Sequence, residues 1–338
     1  MSTRSRYAMT LAALATAASG VAGPLKTDRV PAPSAVVAHL DFDQLKKTEI
    51  GAFFLQQLDQ PEVKRRLEAA ILVMGFDPRT DVRSLTAFTE ANEGEKPLAA
   101  VLLEGEFDNE RLAVLAGGQP DYQKTEYGPD AVHQWVDRNK GRPSFGAMPA
   151  PGVLLVSDRL DAVHKALDVF HGRSPSLKAK PDGFPMHILN ASNPTPVLVM
   201  AVAMDRLPNG ERRAPALQGA QSGILTLSEF AGTASLDVAL TFDSAEGAQR
   251  LRDIVQGLVA MTAVNAEQNP ELAEVAQRVE VATEGGTARL KLRWPAEKVK
   301  ESLQKAKERA QQRRAEPAPA SVDPPPAELI LPPPADGR

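Results

Sequence analysis

Between Ser235 and Phe242 the chain alternates without a break. Leu236, Val238, Leu240 and Phe242 are apolar, and Ser235, Asp237, Ala239 and Thr241 between them are polar or small. This is the period of a strand with one buried face. Ala248, Leu251, Val255, Leu258 and Thr262 then recur at steps of three and four, which is helical periodicity. A hairpin closes the stretch, with Gly285 and Gly286 supplying the positive φ angles of a two-residue turn. That turn pairs Glu284 with Thr287 and sets Val281 beside Leu290 and Val279 beside Leu292 on one face. On the other face Arg289, Lys291 and Arg293 form a basic row, but Glu280 falls across from Lys291, so the row reads as solvated cross-strand ion pairing. Gly223 to Trp294 is therefore a strand, strand, helix, strand, strand unit, one helix laid across one antiparallel sheet.

The first half of the chain carries the same order of elements. A short buried strand at Ala35 to Leu40 is followed by a helical stripe (Ile50, Phe53, Phe54, Leu58). A second helix starts at Asp59 and Pro61, with Val63, Leu67, Ile71 and Met74 on one face and Gly75 as its stop. Ser84 to Thr89 and Leu98 to Phe107 form a strand pair, then come a short helix (Leu112, Leu115) and two strands, Tyr122 to Tyr127 and Ala131 to Val136. Trp135 and Trp294 end the matching strands, and Val197 to Met204 corresponds to the opening strand. The expected fold is α+β: two duplicated units of antiparallel sheet with helices packed on one face, in the order β-α-ββ-α-ββ-α. The first unit adds a hairpin, Pro143 to Ser157, before its closing helix at Asp158 to His171.

The predicted organisation is a signal peptide at 1–22, a first unit at 30–171, a linker at 172–195, a second unit at 196–315 ending in a basic helix, and a disordered Pro-rich tail at 316–338. Arg4 and Arg6 before the small and apolar run Ala8 to Ala18, and the small residues through Ala22, have the form of a secretory signal. No later run approaches the ~20 apolar residues of a membrane span. Lys and Arg number 39 and Asp and Glu 43, a charge of −4 that becomes −6 once Arg4 and Arg6 are removed. A mildly acidic chain lacks the basic footprint of general nucleic-acid binding. With no cysteine, disulfides, thiolate nucleophiles and thiolate metal sites are excluded, and stability must come from packing.

Residues that could carry chemistry are few. Asp161, His164, Asp168 and His171 share one helical stripe, but they extend over nearly three turns, too far for one ion, and the stripe reads as a solvated margin. His133 and Trp135 point to one face of a hairpin that also carries Tyr122 and Tyr127, the composition of a ligand-binding platform. Trp294 holds the equivalent place without a histidine, so packing the end of a sheet is the competing role for Trp135. Ser302 and Lys305 lack the companion motifs of serine acylases, Ser144 lacks a nucleophile elbow, and His39 and His187 have no orienting partner nearby in sequence. No catalytic residue, metal ligand or cofactor is expected. The basic helix holds seven Lys or Arg and three Glu, and past it two proline triplets flank the apolar island Leu329, Ile330 and Leu331, a candidate partner-binding segment.

The run Gly75-Phe76-Asp77-Pro78-Arg79-Thr80-Asp81-Val82-Arg83-Ser84-Leu85-Thr86, preceded by two helices and followed by a strand pair, resembles a pattern of exported bacterial proteins of unknown function. Ala162 to Gly172, with Ala166-Leu167-Asp168-Val169, is similar to theirs as well. The resemblance covers most of residues 34–315 and implies an exported bacterial α+β protein, without catalytic residues to carry over. The functional expectation is an exported, periplasmic or secreted, non-enzymatic binding or scaffolding protein of the envelope. Its partner would be an envelope protein or an anionic surface, with no nucleic acid and no transmembrane span. The alternative is a metal-dependent or His-based periplasmic hydrolase built from His133 or His164.

Overall fold

Leu236, Val238 and Leu240 lie opposite Leu227, Leu225 and Gly223 on one side and Leu292, Leu290 and Ala288 on the other, so the alternation read from the sequence does fix one face of a sheet. The computed structural model describes residues 24–90, 97–137, 141–180, 184, 196–207, 215–268 and 270–315. The expected signal peptide, much of the linker, and the tail with Leu329, Ile330 and Leu331 lie outside these residues.

The first half runs β1 (Ser34–Asp41), α1 (Phe42–Lys46), α2 (Glu49–Leu58), α3 (Pro61–Met74), β2 (Val82–Glu90), β3 (Leu98–Gly105), α4 (Asn109–Gly117), β4 (Gln123–Tyr127), β5 (Asp130–Asp137), β6 (Arg142–Ala150), β7 (Val153–Ser157) and α5 (Leu160–Phe170). The second runs β8 (Leu198–Ala203), β9 (Ala220–Phe230), β10 (Thr233–Phe242), α6 (Ala245–Val264), α7 (Pro270–Ala276), β11 (Val279–Glu284), β12 (Thr287–Pro295) and α8 (Ala296–Ala315). The chain forms one compact unit through Val299 and a second from Lys300, of which the rest of α8 is described.

All twelve strands join one antiparallel sheet in the order β11-β12-β10-β9-β8-β1-β2-β3-β7-β6-β5-β4. The opening strands of the two halves, β1 and β8, pair at its centre, Ala38 opposite Met200. Outward from that pair the order repeats. β2 and β3 match β9 and β10, and β5 and β4 match β12 and β11, with the hairpin β6–β7 inserted between β3 and β5. The two edge strands carry charge, Lys124 and Glu126 on β4 and Glu280 and Glu284 on β11, which discourages pairing with another chain.

The helices of the repeated pattern share one face of this sheet. On that face Leu85, Leu103 and Leu154 pack with Phe42 of α1, Phe76 and Phe107, and with Met74 of α3 and Leu112 of α4. In the second half Leu240, Ala288 and Leu290 on the same face pack with Ala248 and Leu251 of α6. The opposite face is covered by α5, whose Val163, Ala166 and Leu167 pack with Leu102, Leu155 and Val132 in the largest core. Glu104, buried on that face, is held by Arg29 and by Lys26 at 3.0 Å, which ties the segment before β1 to the sheet.

Several local features differ from the sequence reading. α1 is an added turn of helix, capped by Asp41, whose carboxylate accepts the Gln44 amide at 2.7 Å. Asp59 does not cap α3. It closes α2, Gln60 precedes Pro61 without a side-chain cap, and Asp59 pairs with Arg79 at 3.4 Å. In the last hairpin only Gly285 has a positive φ, 54°, the pattern of a type II′ turn. Gly286 is needed for close approach instead, because a Cβ there would lie 2.9 Å from the carbonyl oxygen of Phe242, whose amide donates to Gly286 at 2.8 Å. The register is as read, with Glu280 opposite Lys291. The ion pairs that form are a diagonal one, Arg293 to Glu280 at 3.6 Å, and one directly across the β10–β12 pair, Lys291 to Asp237 at 3.5 Å.

Candidate binding surface

α6 begins as an ordinary surface helix. Ser244 caps it by accepting the Gly247 amide, and Ala248 and Leu251 bury against Phe242 and Ala288. Its second half is different. From Ile254 to Val264 there is no charged residue, and only Gln256 and Thr262 are polar. A helix apolar all round belongs in an interior. Here Ile254, Leu258, Met261 and Val264 are instead 37, 57, 63 and 84% exposed, and Leu272 of α7 is exposed nearby in sequence.

Leu258 recurs with Leu251 in the helical period, but Leu251 is buried and Leu258 is exposed. A helix of 20 residues runs ~30 Å, whereas the edge strand β11, six residues long, spans ~20 Å. α6 packs on β10, β11 and β12, and its apolar residues outlast the sheet beneath them. The sheet itself is only partly covered on this face, since Leu225, Leu227, Leu236 and Val238 are half-buried and Met200 is exposed. The charged residues of the helix, Glu246, Arg250, Arg252 and Asp253, all precede Ile254, and Arg252 pairs with Asp253 at 3.0 Å. The surface offers apolar area and almost no polar direction, which suits burial against another apolar surface rather than bond-making chemistry. The signal for it in the sequence is the uncharged run of eleven residues, rather than the periodicity.

The aromatic hairpin is built differently from a platform. His133 and Trp135 share a face of β5, as expected, but His133 is buried and its Nδ1 lies 2.9 Å from the hydroxyl of Tyr122. Burial, and secondarily the Lys124 ammonium across the strand pair, holds its pKa below the ordinary histidine range, so the imidazole is neutral near pH 7. The Trp135 indole lies over Gly146, where an added Cβ would come within 3.1 Å of the ring. Trp294, its counterpart, is half-buried with the Arg278 guanidinium 4.9 Å from its ring centroid.

The polar stripe of α5 is not simply a solvated margin. His164 stacks on Tyr127 with ring centroids 3.8 Å apart, and the Tyr127 hydroxyl donates to Asp168 at 3.0 Å. Asp168 also accepts from Arg173 at 2.7 Å, and His171 meets the buried Asp130. These residues dock the hairpin β4–β5 onto α5. A cavity of about 600 Å³ adjoins the end of α5, lined by Arg29, Phe170, Gly172, Arg173 and Ser176 among others, and His171 does not line it. His39 is buried, with Nδ1 2.9 Å from the Thr86 hydroxyl.

No family model matches the chain, and no curated protein sequence does. Among solved structures it is similar to crystal form III of TP0453, with a TM-score of 0.46 and 11% identity over 81% of this chain and 96% of that one. Crystal form I of the same protein gives a TM-score of 0.43 and 11% identity over 84% and 98%. At these values the likeness carries no inference about function.

Proposed function

We propose that this chain is an exported, non-enzymatic binding or scaffolding protein of the bacterial envelope, periplasmic or secreted once residues 1–22 are removed. The observation that supports the reading is the uncharged, exposed second half of α6 beside a partly covered sheet face. Leaving several large apolar side chains in water costs about 1 to 2 kcal/mol each, which a partner recovers by covering them. No helix among the described residues is long and apolar enough to cross a membrane.

The basic stretch of α8, with a charge of +4 from seven basic and three acidic residues, and the Leu329 to Leu331 island beyond it would add a weak tether to an anionic envelope surface or to a partner's groove. The alternative, a hydrolase or metal enzyme built on His133 or His164, needs an imidazole oriented by a carboxylate in an accessible site. His133 is bonded instead to a tyrosine and His164 is stacked on one.

Co-sedimentation with envelope fractions, at low and high salt, tests the reading. The mature protein should be retained, L258E should lose most retention at any salt, and truncation after Ala310 should lose only the salt-sensitive part. Retention unchanged in L258E would remove the support that α6 gives.

A further inference from the structure

Resting on that binding reading, we infer that the partner of α6 is a second copy of this chain, two α6 helices packing antiparallel about a two-fold axis near Leu258. Ile254, Leu258, Met261 and Asn265, all exposed, follow one another at steps of four, three and four, the spacing of a seam that fits a second helix of the same period. The absence of any Lys or Arg from Ile254 to Val264 speaks against a membrane surface, where an interfacial helix sets basic residues on its polar face. It suits a neutral, self-complementary interface.

Size points the same way. The five exposed side chains Ile254, Leu258, Met261, Val264 and Leu272 leave on the order of 500 Å² of apolar surface in water, the upper range for a monomer and more than half of one partner's share of an ordinary interface. Small residues let the backbones approach to complete it. Gly257, Ala260 and Ala263 are exposed, and a Cβ added at Gly257 would meet nothing within 4 Å.

A two-fold axis between Gly257 and Leu258 sets the exposed Ile254 of one copy against the exposed Met261 of the other. It also brings Arg250 of each copy towards Asn265 and Glu267 of the other, which places these charges at the rim. Such an interface is isologous and closes at two copies.

The absence of cysteine makes the test direct. In the full mature chain, L258C should cross-link to a disulfide-linked dimer under mild oxidation, whereas L72C, on the exposed end of α3, should not at the same concentration. Sedimentation equilibrium should give twice the chain mass for wild type and the chain mass for L258E, whose far-ultraviolet circular dichroism should match wild type because Leu258 is 57% exposed and its loss leaves the fold of the single chain intact. A wild type monomeric up to high micromolar concentration, an L258E dimer, or equal cross-linking of both cysteine variants would overturn the inference. A monomeric wild type whose envelope retention still depends on Leu258 would sink the dimer and leave the binding reading standing. A dimer lost in L258E without loss of retention would support the dimer and remove the support that α6 gives to envelope binding.

Discussion

Nε2 of His171 lies 2.6 Å from Oδ2 of Asp130, joining the end of α5 to the first residue of β5. Asp130 is buried, so removing its partner leaves a carboxylate short of one strong hydrogen bond. His171→Ala should cost about 1 to 3 kcal/mol, and adding His164→Ala, which removes the ring stacked on Tyr127, about 1 kcal/mol more. Urea denaturation of the double variant checks this. Wild-type stability would mean that the stripe is solvated after all.

Asp41 gives the chain a pH dependence of a defined sign. Burial pushes its carboxyl up to about 6, with the nearby Asp43 adding to the effect and the Gln44 amide opposing it. Between about pH 4 and pH 6 the folded chain retains a proton that the unfolded chain has released, so this group's contribution to stability falls as pH rises through that window. Asp41→Asn keeps a capping oxygen for Gln44 and abolishes the buried charge. The variant should gain roughly 1 to 2 kcal/mol over wild type at pH 7.5 and nothing at pH 4. A difference that does not vary with pH would show that Asp41 is not the titrating group.

Leu240 and Asp237 test the face assignment of β10. Leu240 packs with Phe242, Ala248 and Leu290 and lies directly over Gly223, whose added Cβ would come within 2.7 Å of a Leu240 methyl. Leu240→Asp should cost ~3 kcal/mol or more. Asp237 lies on the opposite face in a half-exposed pair with Lys291, so Asp237→Leu should change stability by under ~1 kcal/mol. Thermal melts with equal losses in both variants would overturn the register.

Glu229 joins the two halves end to end. Its carboxylate, near the end of β9, accepts the backbone amides of Glu49 at 2.6 Å and Ile50 at 3.1 Å, the first two residues of α2. An acid at a helix N-terminus satisfies otherwise unpaired amides and favours the helix dipole. Glu229→Ala should cost ~1 kcal/mol and speed hydrogen exchange in α2 without affecting β9. Unchanged exchange in α2 would refute the capping role.

Much of this fold is legible in the sequence because period two and period three-and-a-half are local signals. Leu236 to Phe242 fixes a face, Gly285 and Gly286 fix a register, and the repeated order of elements predicts the inserted hairpin. The missed elements are short: α1, five residues long, shows no period, and α7, seven residues long, follows helix α6 with no apolar stripe to announce it. Contacts between distant segments leave no local trace, so the roles of Glu229, of His171 with Asp130, and of His133 with Tyr122 became visible only in space. Periodicity also marks an apolar face without saying what meets it. The recurrence of Leu258 in the helical period therefore does not reveal that the edge strand is too short to cover it.

The pairing of β1 with β8 at the middle of the sheet has a consequence for biogenesis. As the chain emerges N-terminus first, β1 can join β2 at once, but its other edge waits for Val199 to Val202 to arrive. Through that interval the growing protein exposes a row of unsatisfied amides and carbonyls on an apolar strand, the template on which chains pair wrongly. A chain cut between the halves would leave each fragment with the same open seam, and the fragments would find each other, or a fragment of another molecule, through it.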